Sequence, residues 1–180
     1  MSGIAEAVDR FDARADERIE RLRGNPFTDR LFYGASFVGD HGMIWFALAI
    51  LRYFTGVGGS EAAHFAGIRA GCSEIGQSIV VNIGIKSLFR RERPVSQVPR
   101  PYKLRIPRTT SFPSGHATAS FCAAVLLSDG TPWAPVLFVL AMIVAFSRAY
   151  VRIHHASDVV GGILVGTAIG LAIAAAVPLP

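Results

Sequence analysis

Three short stretches of this 180-residue chain carry side chains suited to chemistry on a phosphate group. In the first, Lys86 is followed, after six residues, by Arg93-Pro94. The second is Pro113-Ser114-Gly115-His116. The third is Ser147-Arg148, then five residues, His154, three more residues and Asp158. Lys86, Arg93 and Arg148 are cations with few acidic neighbours in sequence. A phosphate would match them, and arginine grips such a group through a bidentate fork. Ser114 and Gly115 sit where a helix begins, and free N–H groups at the positive end of a helix also favour an anion. His154 and Asp158 are four apart, so a helix containing both would present them on one face. A carboxylate beside an imidazole fixes its tautomer and supports the charge that forms on the ring. His154 is therefore the candidate nucleophile, Asp158 its orienting partner, and His116 the candidate proton donor to a leaving oxygen. The two cysteines, Cys72 and Cys122, have no metal-ligand spacing and read as small core hydrophobes. Neither a metal nor another cofactor is expected.

The elements that must position these groups are membrane-like. Half of the chain is apolar (51%), and the mean hydropathy is +0.40. Apolar stretches at 31–53, 62–88, 114–128, 132–152 and 157–177 predict an all-α polytopic membrane helical bundle of about five spans. The third has 15 residues. At about 1.5 Å per residue it reaches about 22 Å, short of a hydrocarbon core of about 30 Å, so its first residues are expected in a recess. Residues 89–113 are polar, basic and proline-rich, and Pro101, Pro107 and Pro113 argue for a loop. Before the spans, Ile4, Val8, Phe11, Ala15, Ile19 and Leu22 draw one apolar stripe on an amphipathic helix over 4–23. Gly24, Asn25 and Pro26 stop it. The chain thus divides into an interfacial helix and linker, 1–30, and a membrane-embedded domain, 31–180. The first 23 residues are too charged for the apolar core of a signal peptide. Gly162, Gly166 and Gly170 share one face of the last span; they allow close packing inside the monomer, the favoured reading, or a homo-oligomer contact.

Counting crossings brings all three chemical stretches to one face of the bilayer, which a single site requires. Any one of them has a bland explanation: a satisfied structural histidine, or an ordinary cytoplasmic loop. Their order, spacing and shared membrane face do not. Together they resemble the signature of the type 2 phosphatidic acid phosphatase superfamily, the lipid phosphate phosphatases: KxxxxxxRP, PSGH and SRxxxxxHxxxD, matched here by KSLFRRERP from Lys86, PSGH from Pro113 and SRAYVRIHHASD from Ser147. The resemblance covers roughly residues 60–177. It implies a helical membrane bundle and a phosphohistidine formed at His154. It implies that His116 protonates the leaving lipid oxygen, that Asp158 orients His154, and that Lys86, Arg93, Ser114, Gly115 and Arg148 hold the phosphoryl oxygens, without a metal. His155 is taken as a neighbour of the nucleophile. Asp40, His41, Arg69, Glu74, Gln77 and Asn82 lie outside the motifs, and are expected to hydrogen-bond within the bundle or line the lipid's path.

The net charge is +5, and 16 of the 18 Lys and Arg fall on the face that carries the site. Positive residues prefer the cytoplasm, so a cytoplasm-facing site in the cell membrane is expected. The expected partners are the membrane and a phospholipid or polyprenyl phosphate, not nucleic acid. Candidate substrates are phosphatidic acid, phosphatidylglycerophosphate, or a polyprenyl-linked sugar phosphate such as decaprenylphosphoryl-5-phosphoribose. The rivals are a phosphotransferase using the same phosphohistidine, and a non-catalytic protein that binds or moves an anionic lipid.

Overall fold

The computed structural model describes residues 2–56, 59–94 and 109–180, and among these it is all-helical. The elements are α1 (Ser2–Glu20), α2 (Pro26–Val38), α3 (Met43–Thr55), α4 (Ser60–Ile79), α5 (Gly115–Ser128), α6 (Ala134–Tyr150) and α7 (Ala156–Ala176). The loop prolines Pro101 and Pro107 lie outside the described residues.

The expected first span, 31–53, is two helices. Asn25 caps α2, its side chain accepting from Phe27 N at 2.9 Å, and Pro26 takes the first helical position, where a missing N–H costs little. The helix stops at Gly39. His41 and Gly42 both adopt the left-handed backbone, with φ of 54° and 71°, and α3 leaves at 61° to α2. The second expected span also changes character: α4 gives way to a π segment (Val80–Gly84) and a 3-10 turn (Ile85–Leu88) that delivers Lys86. π segments of this kind recur at functional sites.

α5 is the axis of the molecule, buried along most of its length and packed against α4, α6 and α7. It is lined by small residues (Ala117, Ala119, Ala123 and Ala124), so neighbouring helices approach closely. Gly162, Gly166 and Gly170 of α7 face it. A Cβ on Gly162 would stand 2.6 Å from Ser114 O, and one on Gly166 only 2.3 Å from Thr118 O. The glycine stripe is therefore spent within the monomer, on a backbone-to-backbone contact that no larger residue allows.

α4 is polar inside and apolar outside. Arg69, Ser73, Glu74 and Gln77 are buried, whereas Ile68, Ile75 and Ile79 are more than half exposed. Arg69 is structural: it donates to Val177 O at 2.7 Å and Leu126 O at 3.3 Å and pairs with Asp129. Gln77 donates to Glu74, and Asn82 returns to Ser78 of its own helix. Phe54, Val136, Val139, Leu164 and Leu171 extend the exposed apolar belt to α3, α6 and α7. A belt of this extent suits lipid rather than water. Only α7 is by itself long and apolar enough to cross a membrane among the described residues; α2 and α3 pass as a bent pair.

The closeness of α5 and α7 gives a direct test. Gly166→Ala should lower the thermal midpoint in detergent markedly, because the added methyl meets the α5 backbone. Gly76→Ala, with nothing within 4 Å of its added Cβ, should leave it unchanged or raise it. Equal midpoints for the two variants would contradict the packing described.

Candidate active site

The structure gathers the three chemical stretches at one end of the bundle. Arg148 is in the last turn of α6, and both Ile153 N and His154 N donate to its carbonyl at 3.1 Å. This tight turn fixes His154 just before α7, which begins at Ala156. His154 thus lies outside the helix that carries Asp158, and the expected shared helical face does not form. The turn brings the two together instead: His154 Nδ1 lies 3.7 Å from Asp158 Oδ2. That is too long for a direct hydrogen bond. Ser111 Oγ stands between them, 3.5 Å from Nδ1 and donating to Oδ2 at 2.5 Å.

Asp158 is fully buried and is held from every side. Oδ2 also accepts from His155 N at 2.9 Å, so the carboxylate caps the start of α7. Oδ1 accepts from Arg91 Nη1 at 2.7 Å. Its main-chain carbonyl accepts from Ser114 N at 3.0 Å, joining the start of α7 to the start of α5.

The other edge of the His154 ring faces a cation. Arg93 Nη1 is 3.0 Å from His154 Nε2. A guanidinium can only donate, so Nε2 carries the lone pair and the ring proton sits on Nδ1, toward Ser111 and Asp158. Arg93 is itself fixed by the carbonyls of Thr109, Thr110 and Ile153, at 3.1, 3.0 and 3.1 Å. Lys86 Nζ donates to Thr109 Oγ1 at 3.1 Å, and lies 3.8 Å from where a Cβ on Gly115 would be. Lys86, Arg93 and Arg148 are all less than a tenth exposed, and Lys86 feels the charge of both arginines. Three cations buried this close repel one another, and a phosphate group set among them would relieve that repulsion.

His116, in the first turn of α5, meets a residue outside the motifs. Its Nε2 donates to Asp40 Oδ1 at 2.9 Å, and Asp40 is 4.0 Å from Arg148. Arg148 also bonds Ser36 of α2. The bend between α2 and α3 places both Ser36 and Asp40. Ser114 caps α5, its Oγ accepting from Ala117 N at 3.4 Å.

All eight expected site residues therefore meet in one cluster: Lys86, Arg93, Ser114, Gly115, His116, Arg148, His154 and Asp158. His155 supplies a backbone N–H. Four further participants are invisible to the motif pattern: Asp12, Asp40, Arg91 and Ser111. For Arg91, burial works against the charge, but the hydrogen bond to Asp12 and the Asp158 carboxylate outweigh it and raise its pKa. Burial lowers that of Arg93. A cavity of about 260 Å³ lies beneath α1, bounded by Asp9, Asp16, Arg152 and His155 and reaching His154. Lys86, Arg93, Arg148 and His116 do not line it, so it is a vestibule beside the cation cluster rather than the cluster itself.

Two imidazoles, each backed by a carboxylate, around buried cations in an all-helical bundle define a phosphate-handling membrane enzyme. The PAP2 superfamily model matches residues 66–179. A decaprenylphosphoryl-5-phosphoribose phosphatase of Mycobacterium tuberculosis is 31% identical over 147 residues, covering 76% of this chain and 73% of that protein. An undecaprenyl-diphosphatase of Sulfolobus acidocaldarius is 36% identical over 94 residues, half of this chain and 45% of its own. Aquifex aeolicus LpxE superposes with a TM-score of 0.66 at 26% identity, over 89% of this chain and 93% of that one. The chain belongs to the PAP2 superfamily, and it is a lipid phosphatase of that kind.

The surroundings of His154 set its titration. Burial pushes its pKa from 6.5 down to about 3; the Asp158 carboxylate opposes this, and Arg93 and Arg148 add to it. The unfolded chain then takes up that proton first, so the His154 contribution to stability is intact above pH 6.5 and is lost as pH falls from 6.5 toward about 3. In an NMR titration of histidine-labelled protein, the His154 signal, assigned from a His154→Gln spectrum, should stay at its neutral position between pH 8 and about pH 5. A midpoint near 6.5 would contradict the site described.

Proposed function

We propose that this chain cleaves a lipid phosphomonoester through a phosphohistidine at His154. The observation that carries the reading is the Arg93 contact with Nε2, which fixes the ring proton on Nδ1 and keeps the lone pair on Nε2, where it is freed for phosphorus once the Arg93 N–H turns to a phosphoryl oxygen. In the first step Nε2 forms a bond to phosphorus while the ester P–O bond breaks, and its electron pair leaves on the lipid oxygen. His116 enters this step as the imidazolium: it keeps the Nε2–H on Asp40, gives that oxygen its second proton, from Nδ1, and is left neutral. The Nδ1–H of His154 is retained, and Ser111 and Asp158 support the charge that spreads over the ring. In the second step water attacks phosphorus, His116 takes its proton, the P–N bond breaks and inorganic phosphate leaves. Lys86, Arg93, Arg148 and the N–H groups after Ser114 stabilise the phosphoryl oxygens as charge develops.

For the substrate, we favour a polyprenyl-linked sugar phosphate such as decaprenylphosphoryl-5-phosphoribose. The support is the curated relative of that activity, which this chain matches over most of both lengths. The belt of exposed apolar side chains supports a polytopic protein of five crossings, in which α2 and α3 form one bent crossing. The basic face around the site supports a cytoplasmic orientation. Ile4 and Phe11 of α1 remain exposed and fit an interfacial position for residues 1–30 beside the membrane domain.

The test compares leaving groups. His154→Ala should abolish phosphate release from every substrate in detergent. His116→Ala should lower kcat/KM for a polyprenyl-linked phosphate by about 10²–10⁴-fold, as loss of a general acid does. The same variant should barely change kcat/KM for p-nitrophenyl phosphate, whose leaving phenolate needs no proton. Equal losses on both substrates would remove His116 from the acid role, and undiminished turnover by His154→Ala would remove the nucleophile. Activity should survive EDTA, since the protein's own cations supply the positive charge.

Topology is tested separately. In a background of Cys72→Ser and Cys122→Ala, an impermeant maleimide added to intact cells should label Ser60→Cys and not Gln97→Cys. The reverse pattern would place the site outside.

A further inference from the structure

The N-terminal helix brings a carboxylate into this site. Val8, Asp12, Ala15 and Ile19 form the face of α1 that turns inward, and Asp12 is only 7% exposed. A charged side chain so buried is costly unless it is paired. Asp12 is fully paired: Oδ2 accepts from Arg91 Nη2 at 2.5 Å and from Ser157 Oγ at 2.7 Å, and Oδ1 accepts from Ser157 N at 2.8 Å. Arg91 in turn donates through Nη1 to Asp158 Oδ1 at 2.7 Å and to Ser157 Oγ at 2.6 Å.

We infer that Asp12 is a positioning residue of the phosphatase reaction, acting through Arg91 and Ser157 on Asp158, so that α1 is part of the active site. The inference rests on the reading of Asp158 as the partner of His154. Two physical effects support it. The first is charge. An arginine paired with Asp158 alone would neutralise the carboxylate just when positive charge forms on His154. With Asp12 sharing the guanidinium, the three groups together keep one net negative charge for the ring. The second is geometry. Ser157 lies in the first turn of α7, one residue before Asp158, and its N–H and hydroxyl are both tied to Asp12. The start of α7 is therefore fixed to α1 as well as to the Arg91 loop.

The docking of α1 does not rest on Asp12 alone. Arg23 donates to Tyr150 O at 2.8 Å and Ala149 O at 3.0 Å, Arg152 pairs with Glu20, and Ile19 is buried. Asp12→Asn should therefore leave α1 in place while weakening the hold on Arg91.

The experiment is a double-mutant cycle on the full chain in detergent, with Asp12→Asn, Asp158→Asn and their combination, reading kcat and KM separately. Asp12→Asn should lower kcat by about 10- to 10²-fold, the scale of a small misplacement in an active site, with KM within about twofold. In the Asp158→Asn background it should cost nothing further, because the link it acts through is already cut. Glu17→Gln, which removes a charge from the exposed face of the same helix, should leave kcat unchanged. Should Asp12→Asn not fold, Arg91→Lys, which keeps a charge but cannot fork between two carboxylates, reads the same link and should show the same non-additivity. Unchanged kcat in Asp12→Asn, or losses that multiply with those of Asp158→Asn, would overturn the inference and leave the role of Asp158 standing. Unchanged kcat in Asp158→Asn would overturn both.

Discussion

The carboxylate of Asp158 is the point on which the site closes. One oxygen takes the Ser111 hydroxyl and the His155 N–H; the other takes Arg91. The backbone carbonyl of the same residue takes Ser114 N. One buried residue thus ties together the start of α7, the start of α5, and the loop that carries Arg91 and Ser111. A buried carboxylate with this many donors stays ionised and stays put, since removing any donor would leave uncompensated charge in a low-dielectric interior. The glycine face of α7 serves the same end. It lets the α5 and α7 backbones meet, so the two helix starts lie within one hydrogen bond of each other.

The cations obey a related constraint. Lys86 and Arg93 come from one stretch of chain and Arg148 from another 55 residues on, and the three are buried together. Each is steadied by neutral oxygens (Thr109, Thr110, Ile153, Ser36) more than by carboxylates. Neutral acceptors hold a cation without cancelling its charge, which keeps the positive potential available to a phosphate. Of the two nearby carboxylates, Asp158 is engaged with Arg91, and Asp40 binds His116 at 2.9 Å and reaches Arg148 only at 4.0 Å.

Much of this was legible in the sequence, and what was not had a physical reason. The motif residues could be found because their spacing is local and their chemistry narrow. The helices could be found because apolar runs are long, and α5, α6 and α7 begin and end close to the expected limits. The bend within the first apolar run was missed, although Gly39, Asp40, His41 and Gly42 interrupt it. Two glycines flanking two polar residues in a membrane-like segment are a signal for a break. Asp12, Asp40, Arg91 and Ser111 were not assigned to the site for a different reason. Each acts through a partner far along the chain, and no periodicity or spacing encodes such a pair. Arg91 was further hidden by its neighbours, since Arg90, Arg91 and Arg93 look alike until the fold selects which of them turns toward Asp158. The stripe on α1 was read as a single apolar face. In the structure it divides, with Val8, Ala15 and Ile19 against the protein and Ile4 and Phe11 outside.

The two histidines differ in the partner each ring meets, and that difference bears on their roles. The Nε2 of His154 faces a guanidinium, which has only protons to offer, so this nitrogen must present its lone pair. The Nε2 of His116 faces a carboxylate, which has only lone pairs to offer, so this nitrogen must present a proton. Each ring's free chemistry follows from that choice. His154 has an electron pair directed at the cation cluster, with its proton turned toward Ser111 and Asp158. His116 is anchored through one N–H, so it is Nδ1 that gives a proton when the ring is charged and takes one when it is neutral. Exchanging the partners would exchange the tautomers. The division of labour therefore lies less in the imidazoles themselves than in the bend that delivers Asp40 and the loop that delivers Arg93.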